Sequence, residues 1–292
     1  MTADQSLKNA ISKITIWRKG DQRAPHKPLL LLYVLSQYRQ GHARLFSYGP
    51  EIREQLLDLL NRYGPQRRDQ RPDMPFWRLK GDGFWELQNA DLCSTSDTRE
   101  PPRAELIEHN VSGGFDAENF TLLVKNPRLI DMLANQLLET HFPASIQNDI
   151  ADELGFDIQH TLSQRDPKFR QRVLRAYNYQ CAICGFNMRH DNAPIALEAA
   201  HIRWKQHLGP CEVPNGLALC AIHHKAFDRG SISLDENMRV MISEAVNGTS
   251  AVVQQLFWDY AEKAILLPQS QLNYPDEKYI EWHQKEVFKR AR

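Results

Sequence analysis

Two short pairs of metal-binding residues constrain the fold of this chain more than any other feature. Cys181 and Cys184 form a CxxC pair, which a glycine follows. Cys220 and His223 form a CxxH pair further along the chain. Structural zinc takes four thiolate or imidazole ligands in a tetrahedron, and two such pairs supply three cysteines and one histidine. The spacing therefore predicts a structural Zn²⁺ site that holds the segment together.

The CxxC pair is also typical of thioredoxin-like redox proteins, but those need a βαβ context that the neighbouring sequence lacks. The chain has five cysteines, an odd number. The N-terminal segment lacks the basic-then-apolar order of a secretory signal, and no long apolar run predicts a membrane span. We therefore expect metal binding rather than disulfides, a cytoplasmic location, no membrane partner, and Cys93 and Cys211 as inert thiols.

A second histidine follows His223 directly. Neighbouring side chains on a helix point about 100° apart, so His223 and His224 serve different sites. Asp228 lies four residues after His224 and shares its helix face. A histidine and a carboxylate one turn apart are suitable ligands for a divalent ion with open coordination positions. The sequence thus indicates a second metal site, formed by His224 and Asp228.

Two further polar residues precede this helix. The segment "LEAAHIRW" predicts a strand that ends at His201, and "VPNGLALC" places Asn215 in a loop before a short apolar strand. If His201 and His224 were only structural, the segment would be a zinc ribbon without catalysis. That alternative describes a DNA-binding zinc protein rather than an enzyme.

Residues from about 169 to 240 resemble the HNH nuclease family, which has the ββα-metal fold, in its zinc-knuckle form. The resemblance lies in "CAIC", "AAHI", "PNGLALC" and "HHKAFDRG". It implies that His201 is the general base and that Asn215 orients the loop of the base. It also implies that His224 and Asp228 bind a catalytic Mg²⁺ or Mn²⁺ ion.

The chain departs from this family beside the base. Many relatives have a metal ligand immediately before the base, whereas this chain has Ala200. The ion is left with fewer protein ligands, and Glu198 is a candidate to supplement them. Hydrolysis of a phosphodiester needs an activated water and a cation that stabilises the developing negative charge. A neutral imidazole is a suitable base at cellular pH.

The N-terminal part predicts a mixed α/β domain. The apolar spacing of "SLKNAISKITIW", "KPLLLLYVLSQY" and "PEIREQLLDLLNRY" predicts three helices, and two more are expected near residues 101–109 and 127–140. The aromatic-rich segment "PFWRLKGDGFWEL" predicts a β-hairpin that turns at Gly81-Asp82-Gly83. We also expect C-terminal helices near residues 249–265 and 276–290.

These elements predict an α+β fold with two domains. We expect a DNA-reading domain, a polar linker and a nuclease domain with extra helices, at residues 1–145, 146–166 and 167–292. The net charge of the whole chain is zero. Residues 1–80 nevertheless carry a net charge of +8 and residues 165–230 carry +5, with an acidic block between them. Basic blocks in both domains favour contact with phosphates, although charges that merely solvate the surface are an alternative.

The segments "APHKPLLLL" and "PFWRL" resemble the sulfur-binding domain of phosphorothioation-dependent, type IV-like restriction endonucleases. This resemblance implies a pocket for a sulfur that replaces a non-bridging phosphate oxygen. The residues implied to surround the sulfur and the adjacent phosphates are Arg23, Ala24, Pro25, His26, Lys27, Met74, Pro75 and Arg78. Sulfur is softer and more weakly hydrated than oxygen, so an apolar pocket accepts it at a lower desolvation cost.

The sequence therefore predicts a modification-dependent endonuclease that binds phosphorothioate-modified double-stranded DNA and cuts nearby phosphodiester bonds. One alternative is an HNH enzyme that reads another mark, such as a methylated base. One HNH centre cuts one strand, so a homodimer is a candidate assembly, with the segment "AVVQQLFWDYAEKAILL" as a possible interface. Packing of that segment against the nuclease domain is equally compatible with the sequence.

Overall fold

The computed structural model describes residues 2–17, 20–95, 100–156 and 167–290. The chain forms two compact units: Met1–Phe142 with Gln147–Gln159, and Pro143–Ile146 with His160–Arg292. Helices and small sheets occur in both units, which confirms the predicted α+β class. No helix among the described residues is both long enough and apolar enough to span a bilayer.

The first unit is built around one helix that is buried over most of its length. Its helices are α1 (Ala3–Ser12), α2 (His26–Arg39), α3 (Glu54–Tyr63), α4 (Asp73–Arg78), α5 (Arg103–Glu108), α6 (Ala117–Lys125), α7 (Pro127–His141) and most of α8 (Ala144–Leu154). Helix α2 packs against α3, α4 and α7, and Leu29 to Leu32 have no exposed surface. A helix that is apolar on all sides belongs in a core. The predicted helices that correspond to α1, α2, α3, α5 and α7 are confirmed.

A three-stranded antiparallel sheet completes this unit, with the strand order β1-β3-β2. The strands are β1 (Phe46–Ser47), β2 (Trp85–Gln88) and β3 (Ser112–Phe115). Strand β3 was not predicted, because its two glycines have low strand propensity. Close packing requires them: a Cβ at Gly114 would lie 2.1 Å from the Arg44 carbonyl oxygen, and one at Gly113 would lie 2.7 Å from the Leu87 side chain.

The predicted hairpin in "PFWRLKGDGFWEL" is wrong in its first half. Asp73–Arg78 form α4, a 3₁₀ turn follows, and only β2 is a strand, paired with β3. Phe76 and Trp77 are adjacent and both buried, which a strand with one solvated face does not allow. Pro75 is tolerated because it lies in the first turn, where backbone N–H groups have no partner inside the helix.

The start of the expected linker is helical. Residues 146–154 belong to α8, in which Ile146, Ile150 and Ala151 are buried. Their spacing of four and five residues fits one face of a helix, which the polar residues between them obscured. The rest of the expected linker, apart from 155–156, lies outside the described residues. The domain boundaries themselves stay a prediction.

The second unit contains a strand-strand-helix arrangement. Its strands are β4 (Arg189–His190), β5 (Ala193–Pro194), β6 (Leu197–His201), β7 (Gly216–Cys220), β8 (Ile232–Leu234) and β9 (Val240–Ile242). Its helices are α9 (Pro167–Ala176), α10 (Ala221–Asp228), α11 (Ala251–Leu256) and α12 (Glu277–Glu286). Strands β6 and β7 are antiparallel, α10 follows β7 directly, and α9 packs against both strands. This order is the ββα arrangement that the sequence predicted.

The C-terminal segments differ in part from the prediction. Residues 249–265 do not form one long helix: α11 ends at Leu256, and a 3₁₀ turn at Trp258–Tyr260 follows. Ile265 is buried in the core of the second unit. The continuous apolar helix face that we considered as a dimer interface is therefore absent from this segment. The second predicted helix corresponds to α12.

Candidate functional sites

Four side chains of the second unit converge as the spacing predicted. The ligand atoms of Cys181, Cys184, Cys220 and His223 all lie within 4.8 Å of one another. The Nδ1 atom of His223 lies 3.2 Å from the Cys220 sulfur and 3.5 Å from the Cys181 sulfur. Three thiols and one imidazole at these separations form a donor set that can hold a metal ion.

The chain around this cluster has the geometry of a metal knuckle. Gly185 has φ +70°, a left-handed conformation that glycine adopts without strain, and its N–H donates to the Cys181 carbonyl. The other ring nitrogen of His223, Nε2, lies 2.7 Å from the Leu256 carbonyl oxygen. A hydrogen bond from Nε2–H sets the tautomer and leaves Nδ1 free to bind a metal.

His224 points away from this cluster, as the helical geometry predicted. Its Nε2 atom lies 3.1 Å from Oδ2 of Asp228, one turn further along α10. His201, at the end of β6, lines the same cavity of about 110 Å³. The structure therefore brings together His201, His224 and Asp228, which are 27 residues apart at most in the sequence.

Glu198 contacts the outer side of the His224 ring. Its Oε2 atom lies 2.6 Å from Nδ1, the nitrogen opposite the one that faces Asp228. Burial lowers the pKa of His224, but the Asp228 and Glu198 carboxylates outweigh burial and raise this pKa to about 9. The geometry does not favour the sequence-based suggestion that Glu198 supplements the ligands, since Glu198 is bonded to the ring nitrogen that faces away from Asp228.

Asp228 is 3% exposed and is held by two further side chains that the sequence analysis missed. The indole N–H of Trp204 donates to Oδ1 at 2.9 Å, and the hydroxyl of Ser145 donates to Oδ2. Trp204 follows His201 by three residues in the segment "HIRW". No sequence signal marks it, because a tryptophan in such a position is usually a core residue.

The ring of the predicted base contacts two other side chains. The His201 ring stacks on Phe169 with 4.0 Å between the ring centroids, and the Cys211 sulfur lies 3.5 Å from His201 Nε2. Cys211, which we expected to be inert, is therefore next to the base. Cys93 is a buried thiol of the first unit, and burial raises its pKa.

Asn215 does not line the cavity but ties down the loop that follows the base. Its Oδ1 accepts the Arg203 N–H at 2.8 Å, and its Nδ2 donates to the carbonyls of Arg203 and Pro210. The side chain is fully buried. A buried amide that satisfies three backbone groups rigidifies the loop. The orienting role that the resemblance implied for Asn215 stays a prediction.

The first unit contains a larger cavity of about 660 Å³, on which the "APHKP" and "MPFWR" segments meet. Of the residues implied to surround a sulfur, those in its wall are Arg23, Ala24, His26, Lys27, Met74, Pro75 and Arg78. Pro25 is the exception: it is buried and caps the N-terminus of α2. Other residues of the wall were not predicted from the sequence, among them the half-exposed Trp17.

The cations of this cavity differ in their availability. Lys27 is buried and forms an ion pair with Asp82, and the Arg23 guanidinium donates to the Tyr63 carbonyl. Arg78 is exposed and pairs with Glu100 at 2.6 Å. A surface ion pair is weak enough to exchange for a phosphate, whereas a buried one is costly to break. Of these three cations, Arg78 is the best placed to contact a DNA backbone.

A family model described as "ScoMcrA-like, DNA sulfur-binding domain" matches residues 4–159, which is more than half of the chain. The chain belongs to this family. A second family model, described as "HNH endonuclease", matches residues 181–235 of the same chain. The chain is therefore a DNA endonuclease with a DNA sulfur-binding domain, the organisation of a modification-dependent enzyme. HNH nucleases use a divalent metal ion.

Solved structures from this family are also similar to the chain. The "Sulfur binding domain of ScoMcrA complexed with phosphorothioated DNA" is 26% identical, with a TM-score of 0.45, over 50% of this chain and 96% of that chain. The corresponding domain of SprMcrA is 21% identical, with a TM-score of 0.44, over 53% of this chain and 94% of that chain. No curated protein matches the chain by sequence.

A structure of the "Type IV phosphorothioation-dependent restriction endonuclease ScoMcrA" is 27% identical, with a TM-score of 0.43. The match covers 50% of this chain but only 32% of ScoMcrA. This chain therefore matches only about a third of the length of ScoMcrA.

Proposed function

We propose that this protein binds phosphorothioate-modified double-stranded DNA through the cavity of its first unit and hydrolyses nearby phosphodiester bonds in its second unit. The observation that carries the proposal is the convergence of His201, His224 and Asp228 on one cavity of a ββα unit. A base and a pair of metal ligands beside one cavity are the groups that phosphodiester hydrolysis requires.

The wall of the 660 Å³ cavity suits a soft, weakly hydrated atom. Ala24, Met74 and Pro75 contribute apolar surface, and the Met74 thioether is polarizable. An ordinary phosphate oxygen would lose strong hydration on entering, whereas sulfur loses less. Discrimination between the two DNAs thus arises from the unfavourable desolvation of the oxygen.

In the second unit, His201 accepts a proton from a water molecule, and the water oxygen attacks phosphorus. A new P–O bond forms as the bond from phosphorus to the 3′ oxygen breaks, and the leaving oxygen takes a proton from solvent. Asn215 acts indirectly, because it holds the loop after His201. A divalent ion bound here would stabilise the negative charge on the phosphorane and on the leaving oxygen.

Two kinds of ion fit the two donor sets. The cluster of Cys181, Cys184, Cys220 and His223 is soft and closed, which favours Zn²⁺ in a structural role. His224 and Asp228 provide one nitrogen and one oxygen beside a cavity, which favours Mg²⁺ or Mn²⁺ with open positions. An ion held by the cysteine-rich cluster would stabilise the unit, and an ion held by His224 and Asp228 would supply positive charge at the cavity.

Cleavage of modified and unmodified plasmid tests the proposal. With Mg²⁺ or Mn²⁺ present, we expect nicks in plasmid that carries phosphorothioates and none in the same plasmid without them. Equal cleavage of both plasmids would contradict sulfur recognition and favour another mark. Absence of cleavage with every divalent ion, on DNA that the protein binds, would favour a non-catalytic DNA-binding protein.

A charge in the wall of the sulfur cavity should abolish the preference for modified DNA. We expect Ala24→Asp to weaken binding of a phosphorothioate duplex by at least about tenfold, because the carboxylate repels the anionic backbone and adds a strongly hydrated group. Ala43→Asp is the matched control, since Ala43 is exposed and does not line the cavity. Fluorescence anisotropy with modified and unmodified duplexes measures the DNA affinity of both variants. Equal weakening by the two variants would argue against the cavity as the binding site.

The charge state of His26 gives a prediction on pH. Burial is the main cause that lowers the pKa of His26 to about 4, with smaller effects from Arg67 and Arg23, while its bond to the Gln70 carbonyl acts in the opposite direction. The unfolded chain, with an ordinary histidine pKa of about 6.5, binds this proton more strongly than the folded chain. The contribution of neutral His26 to stability is therefore present above about pH 6.5 and is lost as the pH falls towards 4.

We expect an NMR titration of His26 to show a neutral ring at pH 5. The free energy of unfolding should fall by up to about 3 kcal/mol between pH 6.5 and 4, and His26→Gln should remove that part of the slope. A His26 midpoint near 6.5, or the same slope in the variant, would show that the ring is solvated rather than part of the cavity wall.

The homodimer remains a proposal. One HNH centre cuts one strand, so a double-strand break needs two protomers or two successive events. Analytical ultracentrifugation of the protein on a short modified duplex separates these cases. A 2:1 complex supports two protomers, and a 1:1 complex that still produces double-strand breaks supports two events.

A further inference from the structure

The catalytic ion has few protein ligands in this chain, which makes their orientation important. The residue before the base is Ala200, which is fully buried and offers no donor atom. The proposed ligands are thus two side chains on one face of α10. A site with two ligands gains affinity if both are held in place before the ion arrives, because less conformational freedom is then lost on binding.

The structure shows such restraint on both ligands. Glu198 Oε2 lies 2.6 Å from Nδ1 of His224, so Nδ1 carries the proton of this hydrogen bond and the Nε2 side faces Asp228. Glu198 lies on β6, where it pairs in register with Leu219 of β7. The contact therefore joins the helix to the strand that ends at the base.

The second restraint acts on the carboxylate. The Trp204 indole N–H is a donor only, and it occupies Oδ1 of Asp228 at 2.9 Å. The other oxygen, Oδ2, is turned towards His224 and also accepts from Ser145. Trp204 is 1% exposed and packs against Trp282, so it has little freedom to move.

We propose that Glu198 and Trp204 are positioning residues that hold His224 Nε2 and Asp228 Oδ2 together for one divalent cation. The inference rests on the proposed function and adds two residues to it. It also connects the base with the metal ligands through the backbone. Asn215 holds the backbone of Arg203, and the next residue is Trp204. One loop thus sets the position of both His201 and Asp228.

Binding of Mn²⁺ to the zinc-loaded full chain, measured by electron paramagnetic resonance at constant pH, tests this role without DNA. We expect Glu198→Ala and Trp204→Phe each to weaken Mn²⁺ binding by about 10- to 100-fold, the usual effect of losing a group that orients a metal ligand. Glu198→Gln should lie between Glu198→Ala and the unaltered chain, since it keeps an acceptor without the charge. His224→Ala should abolish binding at this site.

The matched control is Glu212→Ala. Glu212 is an exposed acid of the same unit that accepts a hydrogen bond from Tyr279 and does not line the cavity. We expect the Mn²⁺ affinity of the Glu212→Ala variant to stay within twofold of the affinity of the unaltered chain. Zinc content and thermal unfolding show whether each variant is folded, and ¹⁵N shifts report the protonation of the two His224 ring nitrogens, which Glu198→Ala should change.

The outcomes separate the two proposals. If the folded Glu198→Ala or Glu198→Gln variant and Trp204→Phe bind Mn²⁺ as the unaltered chain does, while His224→Ala does not, the positioning role is wrong and the proposed function stands. If the unaltered chain shows no Mn²⁺ binding that depends on His224, both are overturned.

Discussion

Replacing His201 with alanine is expected to lower the rate of cleavage of phosphorothioate plasmid by about 10²- to 10⁴-fold, the usual contribution of a general base. The side chain lines the cavity that His224 and Asp228 share. Among the described residues of this cavity, the other histidine is His224, which is a proposed metal ligand. Single-turnover cleavage with Mg²⁺ and with Mn²⁺ measures the effect. DNA binding should stay unchanged, because the sulfur cavity lies in the other unit.

His190→Ala is the matched control for this experiment. His190 belongs to the same unit, but its side chain is 84% exposed and it does not line the cavity. We expect cleavage by this variant within twofold of the unaltered chain, and the zinc content of both variants should be the same. Cleavage by His201→Ala within a few-fold of the unaltered rate would mean that another group activates the water.

Replacing Cys181 with serine is expected to unfold the second unit. The Cys181 sulfur is fully buried in a cluster whose four ligand atoms lie within 4.8 Å of one another. Structural zinc contributes about 10–16 kcal/mol of apparent binding free energy in small zinc domains, so loss of one thiolate removes much of the stability of the unit. Metal analysis should show loss of zinc, and circular dichroism should show a loss of folded structure.

Two comparisons make this prediction specific. Cys211→Ser is the same substitution in the same unit outside the cluster, and it should keep its zinc and its fold. The Cys181→Ser variant should still bind a phosphorothioate duplex, since the first unit has its own core around α2. A Cys181→Ser protein that keeps one zinc per chain and melts normally would contradict the structural role of this ion.

Much of the candidate nuclease site was predictable because its signals are local. The CxxC and CxxH spacings, and the i to i+4 relation of His224 and Asp228, follow from the geometry of a turn and of a helix. The divergence of His223 and His224 follows from the same rule, and the structure shows His223 in the cluster and His224 outside it. Short-range periodicity also sufficed for α2, α3 and α7.

The two wrong predictions of secondary structure in the first unit have a common cause. The start of "PFWRLKGDGFWEL" was expected to be a strand because its aromatic residues have high β-propensity, but it lies in the helix Asp73–Arg78, where both Phe76 and Trp77 are buried. Strand β3 was missed because glycine has a low propensity for strands. Its two glycines allow close approach to neighbouring backbone and side chains. In both cases contacts between distant segments overrode local preference, and these contacts leave no periodic signal.

The sequence by itself determined which atoms can bind metal and which residues meet on a single turn or helix, because those relations depend on covalent spacing alone. It also carried the family signatures of both domains. Only the tertiary structure decided that Glu198 and Trp204 contact the outer sides of His224 and Asp228, and that two Pro-containing segments line one cavity in the first unit. Such contacts join elements that are far apart along the chain, and packing of the whole unit sets their distances.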